Sequence, residues 1–386
     1  MTVAAALAAA ERLAPAFAAR AGGYDLDGTF PTEDFEDLRN AGLLGLMVPE
    51  RLGGTGAGFA DYVEVALTLA AGSGATALVY NMHASVTGAL ALTDDDLARA
   101  LGVPDSFFPA RDAVLRAAAE GRHYAVAMSE RGAGARLSAL TTTYEPVAGG
   151  WHLSGTKSFC SGAGHADGYL VAARHGEAIS QFLVPAGPGV TVIPSWDSLG
   201  MRATASHDIA FDVVVPSSAL LGQVEGLAVL LAQVMPQWLV ASYAAVYVGV
   251  AQAVLVAAGA YVQERGLGRL PAVRSRLGRA DAQVAAAREV VRTMARRVGE
   301  APGEPETNQW VWRAKLLAGE TAMDVASSLL EACGSAAMRR GSPLERLYRD
   351  ARCGSLQPAT SDVCADWLGY AVLGKDPEVD AEVARW

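Results

Sequence analysis

The sequence predicts an α+β fold in three consecutive parts: an N-terminal helical domain over 1–122, a small β domain over 123–222 and a C-terminal helical bundle over 223–386. Three observations carry this reading. Apolar residues recur at three- and four-residue spacing up to about Arg122, the period shortens toward two between His123 and Gly222, and long Ala/Val/Leu/Arg segments return from Gln223. At 386 residues and 51% hydrophobic content, the chain can bury two or three sizeable cores.

The elements follow in order. Residues 1–10 are apolar, lack a basic lead-in and run into Glu11-Arg12 at helical spacing, which predicts a helix and not a secretory leader. Segments 35–44 and 62–71 carry the helical period, and Pro31-Thr32-Glu33 is a start signal for the first. Residues 45–57 are a loop by their Gly and Pro content. In the middle, 168–173, 181–185, 190–194 and 209–215 are short β-branched and aromatic runs separated by Gly-rich turns. Beyond them, 237–265, 275–298 and 309–332 are long enough for a packed four-helix arrangement, with a turn at 299–305. A last helix over 363–373 follows Thr360-Ser361-Asp362, with Asp362 expected as its cap.

Composition narrows the partners. A net charge of −10 and a pI near 5.2 argue against nucleic acid or an anionic membrane surface. The basic run 265–279 and Arg296-Arg297 read as solvated helix faces. No uninterrupted run of 18 apolar residues predicts a spanning helix. The four cysteines, Cys160, Cys333, Cys353 and Cys364, show neither metal-ligand nor disulfide spacing, so no metal is expected and a reducing cytoplasm is the default setting. No P-loop is present, and Gly132-x-Gly134 is too short for a dinucleotide fingerprint.

Longer motifs are more informative. Tyr348-Arg349-Asp350-Ala351-Arg352, five residues, then Pro358-Ala359-Thr360-Ser361-Asp362 resembles the acyl-CoA dehydrogenase segment Tyr-Arg-Asp-Ala-Lys, five residues, Glu-Gly-Thr-Ser-Glu. Gly42-Leu43-Leu44 through Gly56 is similar to that superfamily's Gly-Leu-x-Gly-Leu-x-Val-Pro-Glu-x-x-Gly-Gly-x-Gly signature. Its order of helical domain, small β domain and four-helix bundle is the one predicted above.

The resemblance implies a flavin, expected as FAD. Met128-Ser129-Glu130-Arg131-Gly132-Ala133-Gly134-Ala135 stands where the family contacts the isoalloxazine, with Ser129 for Thr; Arg131, Ala135 and Arg136 depart from its Pro, Ser and Asp. Phe159 takes the place of an aromatic that lies against the ring, and Ser161 that of a hydroxyl at its N5 edge. Leu199-Gly200-Met201-Arg202-Ala203-Thr204-Ala205-Ser206 resembles the family's Leu-Gly-x-Arg-x-Ser/Thr segment that closes the β domain. Arg265 corresponds to an arginine reaching the pyrophosphate of a neighbouring subunit, although the following Phe-Gly is missing; Glu331 replaces an adenine-side Gln. Thr360 and Asp362 complete the cofactor contacts, and a homodimer or homotetramer is implied.

The catalytic machinery departs most. The family's Glu, which removes the α-proton of an acyl thioester while its N–H polarises the carbonyl, falls on Pro358, which has neither group. A second family position for that Glu falls at Trp238-Leu239, again without a carboxylate. His83, on a helix that lines the family's acyl cavity, and Gln357, beside Pro358, are the remaining catalytic candidates. Three readings stay open: a reduced-flavin monooxygenase served by a flavin reductase, a dehydrogenase of acyl-CoA or acyl carrier protein with a relocated base, and a non-catalytic acyl-binding partner subunit.

Overall fold

A computed structural model describes residues 1–238 and 240–380. Helix α1 (Val3–Asp27) starts where Thr2 accepts from the Ala5 N–H and stops at left-handed Gly28. It is followed by α2 (Thr32–Asn40), α3 (Phe59–Gly72), α4 (Gly74–Ala91), α5 (Asp95–Ala100) and α6 (Phe107–Ala119). The β domain contains β1 (Tyr124–Ala127), β2 (Thr143–Val147), β3 (Gly150–Cys160), β4 (Gly168–His175), β5 (Ala178–Pro185), β6 (Val190–Ile193) and β7 (His207–Pro216). The last part contains α7 (Leu227–Val234), α8 (Ala241–Glu264), α9 (Pro271–Glu300), α10 (Pro305–Cys333), α11 (Pro343–Arg352) and α12 (Ser361–Val372).

The seven strands form one curled sheet in the order β1-β4-β2-β3-β7-β6, with β5 on the other edge of β4. Strand β2 is absent from the sequence expectation because Pro146 interrupts it. It pairs with β3 along its whole length but meets β4 only at Thr143, so Pro146 sits on an otherwise free edge where its missing N–H has no partner to lose. Helices α5, α6 and α7 likewise lie outside the elements expected from sequence.

Two helical parts that are separate in sequence share one core. Phe17 of α1, Tyr62 of α3, Tyr247 of α8, Val291 of α9 and Leu329 of α10 are all fully buried in it. Helix α8, with its preceding turn, is long and apolar enough to cross a membrane by composition, yet most of it is buried, packed on α3, α9 and α10. A second cluster joins α4 and α6 to β1 and α7, and a third fills the curl of the sheet around Tyr144, Phe182 and Phe211. The seam between sheet and helices therefore has fixed walls on both sides, and the candidate site lies along it.

Candidate functional site

The site is built where the end of β3 meets the loop 195–206. Pairing of β3 with β7 loses register between Lys157 and Cys160. This bulge turns Phe159 out of the sheet, in a left-handed conformation (φ 58°) and 63% exposed. Met201 and Ala205 are also left-handed, at φ 54° and 45°. Such conformations cost about 1–3 kcal/mol each for residues with a side chain and persist only where the surroundings over-determine them. Here Gly162 and Ala163 donate to the Thr204 and Ala205 carbonyls at 2.8 and 3.1 Å, and the Trp196 indole lies edge-on to Phe159 and donates to the Met201 carbonyl at 3.2 Å.

Beside this hairpin, the loop after β1 is held by a buried ion pair. The Glu130 carboxylate accepts from Lys157 Nζ at 2.7 Å, from the Thr141 N–H and hydroxyl at 2.7 and 2.6 Å, and from the Thr142 N–H at 3.0 Å. Burial alone would raise its pKa, but these bonds, Lys157 foremost, hold it at about 2. Lys157 also donates to the Met128 carbonyl, and the Ser158 N–H to that of Ser129, so Met128 and Ser129 lie against β3. Gly134, at φ 63°, closes the loop by exchanging two backbone hydrogen bonds with Glu130 and leaves Ala135 half-buried beyond it.

These residues fit a flat, partly polar ring system. Phe159 offers an exposed aromatic face, and the Ser158 hydroxyl beside it is buried without a partner among the described residues. Ser161 completes the same short stretch, its hydroxyl 2.9 Å from that of Ser206. The structure thus brings together Met128, Ser129, Gly134, Phe159 and Ser161. It does not bring Arg265 and Glu331 to them. Val250 of α8 faces Gly74 beside Met201, and Arg265 lies fifteen residues further on, roughly 20 Å by helical rise. Arg265 stacks over Tyr261, and Glu331 is paired with Arg276 at 2.8 Å.

The Arg349-Asp350 motif is a clasp. Asp350 accepts from the Met201 N–H at 2.6 Å. Arg349 holds both carboxylate oxygens of Asp25, at 2.9 and 2.5 Å, the Leu199 carbonyl at 2.9 Å and Glu345 at 2.6 Å. One segment of α11 thereby ties α1 to the loop that backs Ser161. Gly200 permits the close approach, since a Cβ there would lie 2.1 Å from the Arg349 carbonyl oxygen.

After α11 the chain forms the loop that carries Pro358. Lys315 of α10, fully buried, donates to the carbonyls of Gly354, Gln357 and Ala359 at 2.8, 3.2 and 2.9 Å, and burial lowers its pKa to about 8. Pro358 itself is exposed, between two clamped carbonyls. The Gln357 side-chain oxygen is buried without a partner among the described residues, an open acceptor beside it. Thr360, not Asp362, caps α12: its Oγ accepts from the Val363 N–H at 3.3 Å, and Asp362 is an acidic residue of the first turn. At the second base position, Trp238 is buried edge-on to Phe59, and Leu239 lies outside the described residues.

His83 is placed as a strut. Its Nε2 donates to the Leu44 carbonyl at 2.7 Å and its Nδ1 accepts from the Tyr124 N–H at 3.1 Å. Burial, offset only in part by the Leu44 bond and Asp167, brings its pKa down to about 4. Both nitrogens are engaged, and none is left for a substrate proton, so the acid–base role expected from sequence has no geometry behind it. Lys315 escapes sequence reasoning altogether, whereas Glu130, Lys157, Thr204 and Ser206 lie within the segments that resemble the family but have no role assigned by sequence. Lys315 still leaves a local signal, a cation on the α10 face formed by Val311, Ala314, Ala318 and Ala322, all buried.

Known proteins bear out the architecture. Models of the acyl-CoA dehydrogenase N-terminal, middle and C-terminal domains match residues 3–94, 125–214 and 233–369. The chain is 32% identical to L-evernosamine nitrososynthase of Micromonospora sp., covering 95% of this chain and 89% of that protein. The solved structure of KijD3 with FMN and dTDP-3-amino-2,3,6-trideoxy-4-keto-3-methyl-D-glucose superposes with a TM-score of 0.82 at 28% identity, covering 97% of this chain and 95% of that one. FMN-bound TdsC of Paenibacillus sp. A11-2 superposes with a TM-score of 0.83 at 26% identity, covering 96% and 97%. This chain belongs to the acyl-CoA dehydrogenase family and is a flavin-dependent oxidoreductase.

Proposed function

We propose that the chain is a reduced-flavin monooxygenase that oxygenates the amino group of a small polar substrate, with a nucleotide-linked amino sugar as the class. The observation that carries this reading is Pro358, which puts neither carboxylate nor N–H where α-proton abstraction needs both. Loss of a positioned base costs about 10²–10⁴ in rate, and loss of an oxyanion donor roughly another 10²–10³. The neighbouring side chains do not make up the loss. Asp350 is bound to Met201, His83 is spent, and Gln357 carries a neutral amide that cannot act as a base. An amine needs no α-proton base to be oxygenated. The likeness to a nitrososynthase and to KijD3 with its amino-sugar ligand supports that class.

Met128, Ser129, Gly134, Phe159 and Ser161 would hold the ring. A bound reduced flavin would supply the two electrons with which dioxygen and R–NH2 give R–NHOH and water. We take FMN as the working cofactor, because this cluster is complete within one chain whereas the adenosine side of FAD would need Arg265 and Glu331 from a neighbouring copy. In this reading the Gln357 oxygen, buried without a partner among the described residues, accepts from the amine N–H and so orients its nitrogen. A partner flavin reductase delivers the electrons, and no acyl carrier is required.

The test supplies the protein with NADH, a flavin reductase, FMN, dioxygen and a nucleoside-diphosphate 3-amino sugar, and follows product mass. The expected product is one oxygen atom heavier, with its nitroso successor. Absence of oxygenated product, together with flavin bleaching by a saturated acyl-CoA under anaerobic conditions, would return the chain to the dehydrogenases.

A further inference from the structure

Three hydroxyls form an unbroken chain behind Ser161, and its polarity is set by where it ends. Thr204 Oγ lies 2.9 Å from the Met201 carbonyl, to which it can only donate. Having given its single hydrogen, it must accept from Ser206, 2.7 Å away. Ser206 must then accept from Ser161 at 2.9 Å. The Ser161 hydrogen therefore points inward, and toward any other partner Ser161 can act only as an acceptor. Thr204, Ser206 and Ser161 are 0%, 4% and 7% exposed, and no other hydrogen-bond partner meets these hydroxyls among the described residues.

We infer that Ser206 and Thr204 are positioning residues that make Ser161 an obligate acceptor, so that the site prefers reduced flavin to oxidised flavin. This preference, which rests on the flavin reading above with Ser161 at the redox-active edge of the ring, follows from simple hydrogen-bond matching. The edge nitrogen carries a hydrogen in the reduced ring and only a lone pair in the oxidised one. An acceptor facing it gains a hydrogen bond in the first case and meets another lone pair in the second. The protein thereby selects the form that a reductase delivers, using two side chains set behind the contact itself.

Anaerobic titration of the full chain with oxidised FMN and with dithionite-reduced FMN tests this. The wild type should bind the reduced form more tightly. Thr204→Val removes the sink of the chain, which frees Ser206 to donate to Ser161 and Ser161 to donate outward. The Met201 carbonyl keeps the Trp196 indole and the Thr204 N–H as donors, so the loop stays satisfied. The ratio of oxidised to reduced dissociation constants should fall about three- to tenfold, equal to roughly 15–30 mV in the two-electron potential. Ser206→Ala should act likewise, and Thr204→Ser should keep the wild-type ratio. An unchanged ratio in Thr204→Val and Ser206→Ala, or an equal loss of both affinities, overturns the inference while the flavin reading stands. A wild type that binds neither form overturns the flavin reading, and the inference with it.

Discussion

Replacing Lys315 by Met should release the loop that carries Gln357 and Pro358 while leaving the helical core intact. The ammonium donates to three backbone carbonyls, and their surroundings decide the magnitude. Gly354 is buried, with its Cα against the Tyr247 ring and its carbonyl against Gly319, so its oxygen has no route to water once the lysine is gone. The Gln357 and Ala359 carbonyls sit in a half-exposed segment and can find solvent. One buried carbonyl left unsatisfied costs about 1–3 kcal/mol. Removing the ammonium also removes the cost of burying it, seen in the fall of its pKa to about 8. A net loss of about 2 kcal/mol in urea unfolding is therefore expected, with faster amide exchange confined to 353–360. Met matches the volume of the aliphatic stem, so a packing defect contributes little. Wild-type stability together with wild-type exchange in 353–360 would refute the clamp.

Other outcomes follow from the same geometry. His83 and the neighbouring His123 are held neutral by burial, at about 4 and about 3, so between pH 6.5 and 4 the unfolded chain binds protons that the folded chain does not. Stability is then complete above pH 6.5 and falls toward pH 4, by about 3 kcal/mol for His83 alone; His83→Gln should flatten part of that slope in urea titrations. Glu130→Gln strands a buried ammonium on Lys157 and should cost about 3–5 kcal/mol, with Lys157→Met added to it recovering most of the loss. Gly200→Ala drives a methyl into the Arg349 carbonyl and should lower stability by about 3 kcal/mol by chemical denaturation, with Gly200→Ser no better tolerated since the clash is at Cβ.

The order of helical part, sheet and helical part is legible in this sequence because the two kinds of segment differ in both period and composition. The long runs after Gln223 carry Ala and Leu at helical spacing, and the runs between Gly168 and Val215 are β-branched and short. What escapes is set by contacts distant in sequence. Arg349 meets Asp25 across 324 positions, and nothing local to either marks the pair. His83 stands out as a lone imidazole in an apolar helix, the kind of residue that can be an acid or a base, yet the partners that engage it are a carbonyl 39 residues before it and an N–H 41 residues after it. Asp362 reads as a cap because Thr, Ser and Asp all occur there. The backbone uses Thr360, two positions earlier.

Pro358 gains its meaning from what surrounds it. A proline that had merely disrupted the loop would leave its flanking carbonyls free, yet both are gripped by Lys315 from beneath, and the clasp of Arg349 and Asp350 still fixes α11 against the loop behind Ser161. The loop that resembles the family's catalytic segment is thus held on both sides of Pro358, which brings it neither a carboxylate nor an N–H. The Lys315 grip comes from the carbonyl side, so it does not depend on the N–H that proline lacks. The loop is consequently free to carry a different contact, and the polar side-chain atom it leaves buried and unpaired directly beside Pro358 is the oxygen of Gln357. An acceptor there matches a substrate that brings its own hydrogen-bond donors, as an amine does and a saturated acyl chain does not.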